Sequence, residues 1–221
     1  MLNQLQPLIK RSLTRRFSAG STILYQGEAP RSACVLVKGI VRVFSISSQG
    51  DEQIVTFHIA GEFFPSSWIF DKAPGTLFFY EAVTDCEVAF CSRTELVEFM
   101  TATPERNKAL LDYFTTNYAA WMIRVNALEQ PKARDKLTYT LYYLCQRYSQ
   151  EPGKMVKIPL TLTHQNFASL VGLTRETIAI EMNKLKREGV IDYKQREYSV
   201  NTEKLFDLLG EDSFRGLSIG S

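Results

Sequence analysis

Histidine is scarce in this chain. There are two, His58 and His164, among 221 residues. Neither has a nucleophile or metal-ligating partner at ligand spacing, which argues against a hydrolytic triad or a zinc site. The four cysteines, Cys34, Cys86, Cys91 and Cys145, are scattered, and none forms a CxxC pair. No GxxxxGKS or GxxxxGKT phosphate loop occurs. Together these absences leave an enzyme with no catalytic residues to assign. No apolar run approaches ~18 residues, so no membrane span is expected. The N-terminal residues carry no charged segment followed by an apolar run, so no export signal is expected. The expected compartment is the cytoplasm, with its thiols reduced. Strong charge of one sign is missing too. The net charge is +2, with a slight excess of basic residues from Lys132 onward (14 Lys and Arg against 11 Asp and Glu). Nucleic-acid binding must therefore rest on local placement of cations.

A real core is available, because 45% of the residues are hydrophobic. Leu5, Leu8, Ile9 and Leu13 have helical spacing, predicting a short helix over 2–13. From Arg15 to Ser92 the pattern becomes short alternating strands: 21–25, 33–38, 40–46, 52–59, 77–83 and 87–92. Glycines stand at the corners, which suggests a β-barrel or jelly roll. A short helix over 94–101 follows. Thr103-Pro104 is a helix start, with a cap and then proline in the first turn. That helix runs to about Gln130, before Pro131. Within it Leu111, Phe114, Tyr118, Trp121, Val125 and Leu128 are spaced 3, 4, 3, 4, 3. A period of 3.5 favours a seam with a second copy of the same helix; the other reading is a helix packed on the barrel. Leu110 and Met122 flank the seam and could face the barrel. A further helix from about Lys136, a turn over 151–154, a strand over 155–160, a last helix over 203–209 and a loose tail over 216–221 complete the outline.

Thr163 to Gly189 is the most informative stretch. Thr163 can cap a helix whose core face is Phe167, Ala168, Leu170 and Val171. Gly172 sits where a helix end needs positive φ, and Thr174 is a second cap. Ile178, Met182 and Leu185, at i, i+4 and i+7, make one apolar stripe. Glu176, Ile180, Asn183 and Arg187 lie roughly opposite it. Such an outward face, beginning at a capped N-terminus, suits a helix that enters the major groove of DNA. An ordinary core helix hairpin would show the same caps. Gly189 to Val200 follows as two short strands around a polar turn, a wing carrying Lys194 and Arg196.

The run Gly172 to Thr177, its apolar spacing and the wing resemble the winged helix-turn-helix of the Crp/Fnr family of bacterial transcription regulators. Gly20, Gly27, Gly39, Gly50 and Gly61 fall where that family's cyclic-nucleotide-binding-type β-helix turns its corners, and Gly61-Glu62 resembles the opening of its phosphate-binding cassette. The resemblance spans roughly Leu13 to Leu209. It implies an α+β fold: an N-terminal double-stranded β-helix (jelly-roll) sensor domain (1–102), a dimerisation helix (103–130) and a C-terminal winged helix-turn-helix (131–221). It implies a homodimer that binds a palindromic operator in double-stranded DNA, and RNA polymerase as a partner. The alternative is a ligand-binding signalling module whose helix hairpin is only structural.

Carried over residue by residue, the resemblance gives Arg175 guanine and Glu176 cytosine to read, and places Thr163, Gln165 and Thr177 at phosphates. Thr174, Asn183, Lys184, Lys194 and Arg196 complete the expected DNA-facing set. One turn after Glu176 many relatives carry a second arginine; here it is Ile180, for which contact with a thymine methyl is expected. The barrel departs further. Relatives that bind cyclic AMP place an Arg before the last strand, whereas Gly75 to Ala82 has no basic residue. Arg31-Ser32-Ala33 spells the run in the wrong place. A cyclic phosphate would forgo a charge-assisted contact of ~1.5–3 kcal/mol. The family's iron–sulfur sensors gather cysteines near the N-terminus, and none precedes Cys34 here; by alternation Cys86 and Cys91 point to opposite faces. Haem would have only His58 as an axial candidate. Cyclic AMP, haem and an iron–sulfur cluster are therefore not expected, and any effector is unidentified. Gly61, Glu62, Phe63, Phe64, Trp68, Phe78 and Tyr80, with Tyr113, Tyr118 and Trp121, could line an apolar pocket or simply fill it.

Overall fold

The computed structural model describes residues 2–149 and 153–210. The expected tail lies outside these residues, as does part of the turn expected over 151–154. In chain order the elements are α1 (Leu2–Ile9), β1 (Leu13–Phe17), β2 (Thr22–Leu24), β3 (Ala33–Lys38), β4 (Ile40–Ile46), β5 (Glu52–Ile59), β6 (Phe63–Phe64), α2 (Ser66–Ile69), β7 (Phe79–Ala82), β8 (Cys86–Cys91), α3 (Arg93–Thr101) and α4 (Pro104–Glu129). Then follow α5 (Ala133–Tyr148), β9 (Met155–Ile158), α6 (His164–Val171), α7 (Arg175–Arg187), β10 (Ile191–Lys194), β11 (Glu197–Asn201) and α8 (Thr202–Leu209). The chain divides into two compact units, Met1–Phe114 and Thr115–Ser221, and the division falls inside α4.

The first unit is built on two four-stranded antiparallel sheets, ordered β1-β8-β3-β6 and β2-β7-β4-β5. Strand alternation gives the first sheet two apolar faces. Cys34, Leu36, Cys86 and Val88 point inward, to a core shared with Val41, Val43, Phe64, Tyr80 and Ala82 of the other strands. Ala33, Val35, Ala89 and Cys91 point outward, where Leu5, Leu8, Ile69, Leu96, Met100 and Leu110 cover them. Cys86 and Cys91 thus lie on opposite faces. At the β3–β4 corner Gly39 has φ 97°, and a Cβ there would come within 2.6 Å of the Asp85 carbonyl oxygen; only glycine fits this approach.

The predicted first helix is shorter than its apolar spacing suggested. It ends at Ile9, and Leu13, exposed, opens β1 in register with Phe90. Tertiary pairing overrides the local pattern there. Strands β1 and β6 were not individually foreseen; β6 has two residues, too few to show a period.

Helix α4 is continuous over 26 residues. The Thr103 hydroxyl accepts the Arg106 N–H at its start (3.3 Å). Leu110, Ala120, Arg124 and Ala127 are buried. The adjacent stripe is not: Leu111 is 59% exposed, Tyr118 68% and Trp121 41%, and Phe114, Val125 and Leu128 are also open. Phe114 additionally makes edge contacts with Phe63 and Phe70. Met122, expected at the flank, is exposed.

The second unit packs α5, α6, α7 and α8 with a three-stranded antiparallel sheet ordered β10-β11-β9. Arg124 donates to the Leu170 carbonyl (3.0 Å), which ties the end of α4 to α6. A bidentate pair between Arg134 and Glu188 ties α5 to the end of α7, and holds the Glu188 carboxyl below its usual range.

Candidate nucleic-acid interface

Two capped helices and a hairpin make the outward surface of the second unit. The Thr163 hydroxyl accepts the Asn166 N–H (3.0 Å), and the Asn166 side-chain oxygen accepts the Thr163 N–H (2.8 Å), a reciprocal capping box. Capping of this kind is worth ~1 kcal/mol. Gly172 ends α6 in the left-handed conformation, φ 68°. After Leu173, Thr174 caps α7 by accepting the Thr177 N–H (3.2 Å). Ile178, Met182 and Leu185 are fully buried, so the apolar stripe fixes which side of α7 faces out. That outward side carries Arg175, Glu176, Ile180, Asn183, Lys184 and Arg187, all exposed. Ile180 is 55% exposed, a β-branched apolar side chain with no core to join.

The wing is β10 and β11, with Lys194 opposite Glu197 and a two-residue turn of Gln195 and Arg196 between them. Both turn residues have positive φ, 49° and 73°. Neither is glycine or asparagine, so the turn carries roughly 1–2 kcal/mol per residue of conformational cost. The Leu162 N–H donates to the Arg196 carbonyl (3.3 Å) and ties the turn to the segment before α6.

Charge is distributed unevenly over this surface. Lys184 pairs with Glu181, Lys186 with Asp192, and Lys157 with Glu197. Arg175, Arg187, Lys194 and Arg196 have no carboxylate partner among the described residues. Cations without local counter-ions are free to bind phosphate or base edges.

The structure brings most of the expected DNA-facing residues onto one surface, but several are already engaged. Thr163 and Thr174 spend their hydroxyl oxygens on caps; Thr177's hydroxyl lies 2.9 Å from that of Thr174. Asn183 accepts a hydrogen bond from the Tyr193 hydroxyl (3.2 Å). Gln165 is exposed at the start of α6. Tyr193 was missed by sequence reasoning. Its ring packs against Tyr198, takes Lys186 over its face (4.5 Å) and meets His164 edge-on (5.9 Å), so it joins the wing to both helices. An aromatic in a half-exposed wing strand was the available signal.

The seven candidate effector residues do not line one cavity. Phe63 and Trp68 belong to the outward cluster beneath the helices, whereas Phe64, Phe78 and Tyr80 belong to the core between the sheets. Phe63 and Phe64 are successive strand residues and must face opposite ways. Inside, Phe64, Tyr80 and the His58 ring lie nearly parallel, with centroids 5.1–6.0 Å apart. Glu62 is 5% exposed, and its carboxylate is 2.7 Å from His58 Nδ1. Gly61, at φ 94°, turns the chain into this segment. The residues present do not fit a cyclic nucleotide. Among the described residues of this unit the buried charge is Glu62, an anion, and Arg42 is committed to Glu52 and Glu81. A phosphate buried there would face a carboxylate with no guanidinium. All four cysteines are buried free thiols, and among the described residues no group of three or more His, Cys, Asp and Glu side chains could hold a metal ion. No helix among them is long and apolar enough to cross a membrane.

Comparison with known proteins accords with both units. The family descriptions "Cyclic nucleotide-binding domain" and "Crp-like helix-turn-helix domain" match residues 14–103 and 135–207. The chain is 26% identical over 211 residues to the nitrogen fixation regulation protein FixK of Rhizobium meliloti, covering 96% of this chain and 90% of that one. It is 25% identical over 211 residues to the fumarate and nitrate reduction regulatory protein of Escherichia coli, covering 95% and 82%. Among solved structures, a CooA mutant from Carboxydothermus hydrogenoformans shares the fold with a TM-score of 0.73 at 18% identity, covering 91% of this chain and 89% of that one. FixK2 from Bradyrhizobium japonicum does so with 0.71 at 20%, covering 89% and 96%.

Proposed function

We propose a mechanism from the premise that the chain belongs to the Crp/Fnr family of transcription regulators and binds DNA through its winged helix-turn-helix. Two copies pair along the open stripe of α4 (Leu111, Phe114, Tyr118, Trp121, Val125 and Leu128). A row of large apolar side chains left exposed in a folded chain is what a homodimer would cover. The pair sets two α7 helices into successive major grooves about 34 Å apart, on a palindromic operator. Arg175 takes the O6 and N7 of a guanine, Glu176 accepts from a cytosine amino group and Ile180 rests on a thymine methyl. Gln165, Lys194 and Arg196 hold phosphates. Thr163 and Thr174 act through the helix ends they cap.

The observation that carries this reading is the outward side of α7: capped, with Arg175 lacking a carboxylate partner among the described residues and Ile180 open to solvent. In functional terms residues 1–102 form a sensor barrel, 103–130 the dimer helix and 131–221 the reader of DNA, with RNA polymerase as the partner at promoters. Cyclic AMP is not the expected signal, because among the described residues of the barrel the buried charge is the Glu62 carboxylate and not a cation. Selection of binding duplexes from a random-sequence pool, followed by titration of the selected duplex, tests the proposal. The expected result is a palindromic consensus and salt-sensitive, sequence-selective binding. Binding without selectivity would refute it.

A further inference from the structure

We propose that His164 is a proton-dependent phosphate contact: as an imidazolium it donates to the backbone of bound duplex DNA, beside Arg175 and Arg196, so that DNA affinity rises as pH falls. The proposal rests on the DNA-binding reading of the same surface and adds a residue and a dependence to it.

The geometry suits an anion. A groove of about 470 Å³ runs between the start of α6, the start of α7 and the wing. His164 contributes from α6, Arg175 from α7 and Arg196 from the wing turn. Two phenols, Tyr193 from β10 and Tyr198 from β11, complete its titratable lining, and no carboxylate lines it. Tyr198 stays neutral, its phenol pushed up to about 12 by burial. Tyr193 packs its ring against the imidazole and gives its hydroxyl to Asn183. The nearest acidic group on β10, Asp192, is paired with Lys186. Three nitrogen-bearing side chains thus converge from three elements with no oxyanion among them.

In the free chain this setting disfavours the imidazolium. Partial burial, and then the Arg175 guanidinium, push the His164 ring below its ordinary value. A DNA phosphate entering the groove supplies the missing negative charge and raises the ring's pKa in the complex. The sign follows. Above the pKa of the complex, affinity does not depend on this proton. Between that value and the lowered value of the free chain, affinity climbs as pH falls. Below the free value it levels off. Each unit separating the two is about a tenfold gain. The window lies in the range where histidine titrates.

The test measures binding of the full chain to a fluorescent duplex by anisotropy, from about pH 8 to about pH 5.5 at constant ionic strength. It compares wild type, His164→Gln and His164→Arg, on the selected duplex and on a scrambled one. Wild type is expected to tighten about 3–10-fold on both duplexes, because phosphates are common to all sequences, and its salt dependence is expected to steepen by about one ion per protomer at low pH. His164→Gln is expected to lose this pH response with an unchanged melting temperature. His164→Arg is expected to bind tightly at every pH. Because His58 is the only other histidine, a wild-type response that persists in His164→Gln would overturn the proposal, as would a response confined to one base identity. Selective but pH-independent binding by wild type would overturn this proposal alone. Loss of all selective binding would overturn the DNA-binding reading beneath it.

Discussion

Arg175→Ala, measured at about pH 8 where His164 is neutral, tests base reading directly. The side chain is exposed at the first position of α7 and has no ion-pair partner among the described residues. Its removal therefore orphans no buried group, and the Thr174 cap uses the Thr177 N–H, not the arginine. Alanine is also a good helix former. Stability should stay within ~0.5 kcal/mol of wild type, so a change in DNA binding cannot be ascribed to unfolding. A bidentate arginine–guanine contact is worth ~1–3 kcal/mol, or roughly 5–150-fold in affinity for each half-site. The loss should fall on one base pair, and the variant should tolerate all four bases there. Its salt dependence should hardly change, because a base edge carries no counterion to release. Arg175→Lys supplies the control. It keeps the charge but not the planar fork, so it should recover little of the base preference. The assay is competition between the selected duplex and its single-base variants at several salt concentrations. Equal weakening on every sequence, with a shallower salt dependence, would place Arg175 on phosphate and refute the reasoning.

Leu111→Lys with Trp121→Lys should convert the proposed dimer to a folded monomer, because each replaces an open apolar position of the α4 stripe and sets like charges against each other; light scattering that still finds a dimer would move the interface elsewhere. Gly172→Val should lower stability by ~1–2 kcal/mol in thermal melts, purely through the left-handed backbone, since a Cβ there would meet no atom within 4 Å; Gly172→Asn should cost less. Ile180→Ala should weaken binding by ~1 kcal/mol per half-site only where a thymine is present, and replacing that thymine by uracil should cost wild type the same amount.

The two units were legible to different degrees, and the reason is geometric. The helix-turn-helix is specified within 25 residues by features that act locally: two hydroxyl caps, one left-handed glycine and a stripe at helical spacing. Thr163, Gly172, Thr174, Ile178, Met182 and Leu185 each do in the structure what their type and position suggested. The Tyr193 network was not legible, because it depends on the register of β10 against β11 and on how the hairpin folds back over α6 and α7. No local pattern encodes that.

The barrel shows the same limit more sharply. Cys86 and Cys91 could be placed on opposite faces because they stand five apart on one strand. Phe63 and Phe64 obey the same alternation, yet a list of aromatic residues treats them as neighbours in one pocket. In β6 they are separated by the sheet itself: Phe63 supports the helices and Phe64 fills the interior. Composition can say that a barrel is aromatic, but only register says which aromatics share a space. The consequence for function is concrete. The interior is occupied by a His58–Phe64–Tyr80 stack closed by Glu62. Any effector entering there must displace that stack or bind with its carboxylate in place, which selects for cationic or neutral ligands over a cyclic phosphate. On this reading the chain keeps the family's DNA-reading scaffold but presents Ile180 on the outward face of α7, and its barrel places the buried Glu62 carboxylate where a cyclic phosphate would have to bind.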